Sequence, residues 1–413
     1  MKYVVAISSM IFFLGFGLFI SEFISSRSIK NQSVKNNSVD KQIIENQAVE
    51  NKTDENSTVE NQTVEKQTVE NKTVENQATE NKTNENQTVG GFSFDCDNTD
   101  SKPCRKLVAN HQGKTIKIEP SGIAWSNRHK KAIVVNDNYN DLITQNAGHY
   151  SMVSFSLNSD LSPIAVEPLL TPTQGGNYPL YDLEGITLSG DKIYAIGSLA
   201  LHGKNPNRDG WERHQFVQMD LINSNGNLKV ANLSNVNKRW PDFRSWLISK
   251  SGYSWTGEQT RGKAEGDGIN VEALSNNSSG NLVLGFRSPL LSEERVFALE
   301  LSSPSSSKQE TTLVKQHILP KVKADKILQD APKGLRGMAE DPEKPGEYYI
   351  LVGPKGYEKE LIVLARWSSQ TGELTKVTPL PPGIVGEGVV PIDKNKLLIV
   401  DDLKQAIVIA TEN

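Results

Sequence analysis

YDLEGITLSGDKIYAIGS (181–198) reads as a short apolar strand opening Leu-Glu-Gly-Ile, a Ser-Gly-Asp turn, and a second apolar strand. Apolar runs on either side of a Gly-Asp turn predict a β-hairpin. Relatives of this stretch recur along the chain: PSGIAWSNRHKKAIVVND (120–137), VEALSNNSSGNLVLGFRS (271–288), LRGMAEDPEKPGEYYILVGP (335–354) and GEGVVPIDKNKLLIVDD (386–402). Each hairpin is followed by a third apolar segment: YSMVSFSL (150–157), HQFVQMDL (214–221), ERVFALEL (294–301), LIVLARWSS (361–369) and QAIVIATEN (405–413). Three of these run on into turn signals and a further weak strand. Four antiparallel strands repeated in this way predict an all-β fold, a β-propeller of five four-stranded blades.

Two details of the ring need settling. The fifth repeat stops at its third strand, so residues 105–119 are expected to supply the fourth and close the ring. Between the second and third hairpins lie enough residues for a sixth blade. However, 239–270 lacks strand alternation and is better read as an insertion, with RWPDFRSWLISK (239–250) as its helical segment. The aromatic cluster Trp240, Trp246, Tyr253 and Trp255 is expected to cover the channel mouth or pack on a blade. A carbohydrate-stacking platform is the alternative.

The start of a hairpin's first strand and the end of its second lie together. Around a propeller these points gather at one mouth of the central channel. Ser121, Glu184, Glu272, Arg336 and Glu387 hold the first-strand position. Asn136, Asp137, Asn138, Ser198, Arg287, Ser288, Asp401 and Asp402 follow the second strands. One reading is structural: buried charges need pairing, and the ring would hold itself together. The other is a ligand site formed by Ser121, Asp137, Glu184, Glu272, Arg287, Arg336, Glu387, Asp401 and Asp402. Oxygen donors from several blades suit a hard cation such as Ca²⁺, with Asp137, Asn138, Glu184, Glu272 and Glu387 as ligands. Arg336 with Arg287 would instead suit a carboxylate or phosphate.

The body resembles the bacterial family known as domain of unknown function 3616, from about Ser121 to Asp402. The resemblance is carried by DLEGIT and IYAIGS (182–198), INVEAL with LVLGFRSPL (269–290), LRGMAED (335–341), PPGI (381–384) and LLIVDD (397–402). It implies a propeller-like fold and brings no catalytic assignment.

Other motifs are absent or weak. The six histidines are scattered, and there is no GxSxG, P-loop or GxGxxG. His202 reads as a loop residue. TGEQTRGKAEGDG (256–268) lacks the closing Lys-Ser/Thr of a P-loop and reads as an exposed loop.

Residues 29–88 form twelve five-residue units of the type VENQT. A period of five places no continuous apolar face on a helix or strand, and one weak hydrophobe in five cannot offset the entropy of ordering. This segment is expected to be a disordered spacer spanning roughly 40–50 Å as a coil. It carries the chain's acidic excess, leaving acidic and basic residues equal in number elsewhere, so a nucleic-acid partner is not expected. Residues 1–28 hold an apolar run after Lys2 that fits a signal peptide or a membrane anchor. No Ala-x-Ala-like cleavage site or lipid-attachment cysteine follows it, which favours the anchor. Cys96 and Cys104, eight apart around a turn, are expected to form a disulfide outside the cytoplasm.

The sequence therefore predicts an anchor or signal (1–28), a spacer (29–89) and an extracytoplasmic propeller (90–413), in the periplasm or at the cell surface. Its expected role is binding a small molecule, glycan or protein at the channel mouth. The alternatives are a metal-assisted hydrolase of phosphoesters or lactones, an analogy with calcium-dependent propeller enzymes at the level of fold alone, and a purely structural interaction module.

Overall fold

The computed structural model describes residues 91–96, 104–111, 114–116, 118–137, 143–144, 148–171, 180–201, 213–237, 242–261, 268–291, 295–303, 310–320, 333–354, 361–403 and 405–413. The apolar N-terminus and the pentapeptide spacer lie outside them. Among the described residues no helix is long and apolar enough to cross a membrane.

The described chain is a five-bladed β-propeller. The first blade runs outward through Pro120–Ser126, Lys131–Asn136, Gly148–Leu157 and Pro163–Thr171, with Ile143–Thr144 added at its edge. The second uses Leu183–Ser189, Lys192–Gly197, Phe216–Ser224 and Asn227–Asn235, and the third Asn270–Asn276, Leu282–Ser288, Phe297–Leu301 and Leu313–Ile318. The fourth is Lys333–Glu340, Glu347–Pro354, Val363–Ser368 and Leu374–Pro379. The fifth is Gly386–Pro391, Lys396–Asp401 and Ala406–Glu412, completed from the N-terminal side. The innermost strands touch in cyclic order, the fifth against the first, so the ring is closed.

The second strands read as continuous apolar runs because both of their faces are buried. In Lys131–Asn136, Ile133 and Val135 pack toward the second blade, while Ala132 and Val134 pack toward the fifth. The same division gives one apolar cluster for each of the five interfaces between blades. At the centre the backbones are too close for side chains. A Cβ on Gly388 would lie 2.9 Å from the Cα of Gly122, which is why glycine follows the polar residue in these two inner strands.

Ring closure differs from the sequence expectation. The fourth strand of the fifth blade is not a single run over 105–119. Phe92–Phe94 pairs with Ala410–Glu412, and Arg105–Lys106 pairs with Ile407 and Ala406 of the same strand. Ala109–His111 and Lys114–Ile116 pair with each other as a separate two-stranded sheet. The interruption between the two half-strands is closed by the Cys96–Cys104 disulfide, with Cα atoms 4.9 Å apart. Beside it Asp95 pairs with Arg105 and accepts the amide of Ile409 at 2.7 Å. The apolar-polar pattern around 105–116 misled the expectation because an outer strand half on the surface carries little periodic signal.

No sixth blade is present among the described residues. The insertion contributes the helices Phe243–Ser249 and Gly257–Arg261, the first capped by Asp242, which accepts the amide of Ser245 at 3.0 Å. Phe243, Trp246 and Leu247 are buried against the second and third blades, and Tyr253 stacks on Phe297 at 5.6 Å. These described aromatics pack on the blades and do not form a stacking platform. Trp240, His202 and residues 262–267 lie outside the described residues.

Candidate ligand site at the channel mouth

Every inner strand is broken at the same place. The pairing skips Ser121, Glu184, Glu272, Arg336 and Glu387, each the extra residue of a β-bulge between the first two strands of its blade. A bulge re-aims its extra side chain, so the five-residue ring inferred from sequence has a backbone cause.

At this end of the channel lies a cavity of about 180 Å³. Below it the inner strands narrow to a throat of about 10 Å³ lined by Gly122, Gly185, Gly337 and Gly388. The opposite mouth is a separate, more apolar dish around Trp125, Met338 and Pro391.

Ser121, Asp137, Glu184, Glu272, Arg287, Glu387 and Asp402 line the polar cavity. Arg336 sits behind the wall, pairing with Glu387 through Nη1 and donating to the carbonyl of Pro354 at 3.4 Å. Asp401 is fully buried and accepts the amide of Val385 at 3.3 Å, so it braces the fifth blade and does not line the mouth. Asn138 lies outside the described residues.

Half of the ring pairs with itself. Ser121 donates across the blade interface to the carbonyl of Leu183, and Arg287 pairs with Glu272. Burial works against the charge of Arg287, but Glu272 and Glu387 outweigh it and hold the guanidinium charged. Both arginines expected to clamp an anion are thus neutralised by carboxylates.

The other half carries more acid than its one arginine, Arg213, can balance. Asp137, Asp182 and Glu184 bring carboxylate oxygens within 4.8 Å of one another. Asp182 receives the hydroxyl of Ser198 and pairs with Arg213 at 3.0 Å, the guanidinium lying 4.5 Å over the Tyr181 ring. Burial, then the charge of Asp182, pushes the Asp137 carboxyl up to about 8, and the two acids share a hydrogen bond. Burial and then Asp137, Asp182, Glu272 and Glu387 drive Glu184 well above the usual carboxylate range. Glu184 has no ion-pair partner among the described residues. Glu387 is pushed up to about 7, with burial first and Arg336 opposing. Of the cavity's described lining, seven residues are carboxylates and two are arginines.

Sequence reading missed Asp182, Asn270 and Glu119. Each stands two residues before its blade's bulge residue, and the two-residue period of a strand was the available signal. Arg213 carried no signal, since it lies outside the hairpin motifs, more than ten residues beyond Ser198.

No family model matches this chain, and no curated protein is similar to it in sequence. Among solved structures, arabinanase Arb43A of Bacillus subtilis is 13% identical, covering 74% of this chain and 96% of its own, with a TM-score of 0.37. A GH43 β-1,3-galactosidase is 12% identical over 75% of this chain and 94% of its own, with a TM-score of 0.39. The WD40 domain of Neurospora crassa Pan2 is 9% identical over 68% and 72%, with a TM-score of 0.30. These likenesses are too distant to transfer a ligand or reaction.

Proposed function

We propose that this protein is an exported, membrane-tethered propeller that binds a small ligand carrying positive charge at the polar mouth of its channel. The observation that carries the reading is the surplus of carboxylates around a defined cavity, with Glu184 held there without a cationic partner among the described residues. A propeller that had only to hold its own ring together needs Ser121, Glu272 with Arg287, and Glu387 with Arg336. Crowding Asp137, Asp182 and Glu184 as well costs stability, and groups retained at such a cost mark binding sites. Export rests on the apolar N-terminal run and the disulfide, which suits an oxidising compartment.

The test is thermal unfolding and calorimetric titration of the full-length chain with spermidine, glucosamine and divalent cations, beside glucose and inorganic phosphate. At least one cationic probe should stabilise the protein and lose its effect in Glu184→Gln. Stabilisation by phosphate alone, or by none of the cationic probes, overturns the reading.

A further inference from the structure

We propose that the dish at the opposite end of the channel binds one N-acylated sugar ring, independently of the polar mouth. The inner strands that carry the mouth also build this dish. Two residues beyond each bulge stands an apolar side chain, and Ile123, Ile186, Leu274 and Met338 make the floor. Four residues beyond each bulge stand Trp125, Leu188, Asn276, Glu340 and Pro391, which line the wall. The wall is divided by chemistry. Blades five, one and two contribute its apolar arc, and the adjacent third and fourth blades contribute Asn276 and Glu340.

The polar arc presents one donor and one acceptor. Thr187 Oγ1 accepts the amide of Asn276 at 3.2 Å and donates to its Oδ1 at 2.6 Å. That exchange turns Asn276 Nδ2 away from Thr187, and Nδ2 has no hydrogen-bond acceptor among the described residues. On the next blade the amide of Glu340 donates to Ser275 Oγ at 3.1 Å, which sets Glu340 against the residue before Asn276. Glu340 Oε1 takes the amide of Gly346 at 2.8 Å, and the carboxylate keeps further acceptor capacity.

A donor and an acceptor on adjacent strands above an apolar floor match a secondary amide. Its carbonyl would accept from Asn276 Nδ2, its N–H would donate to Glu340, and its methyl would rest on the floor. The carbon–hydrogen face of a sugar suits the Trp125 indole, whose N–H is tied to Asn127 Oδ1 at 3.1 Å. The dish holds about 190 Å³, below the ~300–1,000 Å³ of pockets for drug-sized ligands, so it has room for one ring and not for a length of chain. Its described lining contains no lysine, arginine or histidine, so an anionic ligand finds no counter-charge there.

The full-length chain is titrated calorimetrically with N-acetylglucosamine, glucosamine and glucose. N-acetylglucosamine should bind once per chain and about fivefold or more tightly than the other two, which lack the carbonyl that Asn276 needs. Asn276→Asp keeps the acceptor for Thr187 and removes the donor, and should weaken this binding by about tenfold. Trp125→Leu removes the flat face and should weaken it as well, with far-ultraviolet circular dichroism confirming that both variants are folded. No binding of N-acetylglucosamine at about 10 mM, or binding unchanged in Asn276→Asp, overturns the proposal. Binding that is lost in Glu184→Gln and kept in Asn276→Asp places the sugar at the polar mouth and likewise overturns it.

Discussion

Replacing Arg287 by methionine should be among the most damaging single changes at the mouth, and worse than removing its partner. Arg287 and Glu272 are buried, with side chains 7% and 4% exposed. Breaking a buried pair from one side leaves an uncompensated charge and costs about 3–5 kcal/mol. In Arg287→Met the stranded charge is Glu272, which shares its cavity with Glu184 and Glu387, so neighbouring carboxylates add to the penalty. In Glu272→Gln the stranded charge is Arg287, and those same carboxylates now attract it. That variant should cost less than about 2 kcal/mol, the scale of one lost charge-assisted hydrogen bond. The double variant should recover to within about 1 kcal/mol of the parent, giving a coupling of several kcal/mol in the cycle. Urea unfolding of the full-length chain in EDTA, followed by tryptophan fluorescence, measures all four states. If Arg287→Met costs less than about 1 kcal/mol, or Glu272→Gln costs more than Arg287→Met, the mouth is not the net-negative environment described here.

Two further outcomes follow from the same geometry. Cys96→Ser with Cys104→Ser opens a loop of about nine residues, and the chain-entropy estimate for such a loop is about 2.6 kcal/mol. Urea unfolding should show this loss, and a change below about 0.5 kcal/mol would mean that the two half-strands hold without the link. In EDTA, the elevated proton affinities of Asp137, Glu184 and Glu387 make the folded protein hold protons that the unfolded chain has released. Their contribution to stability is therefore full below about pH 4 and lost as pH rises through about 7 to 8. Glu184→Gln should flatten this fall, and an unchanged slope of stability against pH between 5 and 8 would refute it.

The hairpins, their number and the five bulge residues were legible in the sequence because they are local. A turn residue, a two-residue period and a Gly beside a polar residue are decided within about twenty positions. The unbroken apolar runs of the second strands announced burial on both faces, although not which neighbour each face would meet. Which half of the ring neutralises itself was decided only by tertiary structure, since that depends on side chains brought together from different blades. Arg336 reaches Glu387 across 51 residues, Asp137 meets Asp182 across a blade interface, and Arg213 pairs with Asp182 from outside the hairpin motif. Closure from the N-terminal side was legible, but of the expected 105–119 only Arg105–Lys106 pairs there, and the share of Phe92–Phe94 was out of reach. Residues 92–94 and 105–106 find the strand 406–412 through backbone hydrogen bonds, which carry no side-chain signature, at a separation of about three hundred residues. What the sequence determined by itself was a repeated hairpin with a polar residue at a fixed step. The folding of that repeat into a ring turned five separate positions into one charged cavity, and the packing of the second blade on the first set Asp137 against Asp182 and Glu184.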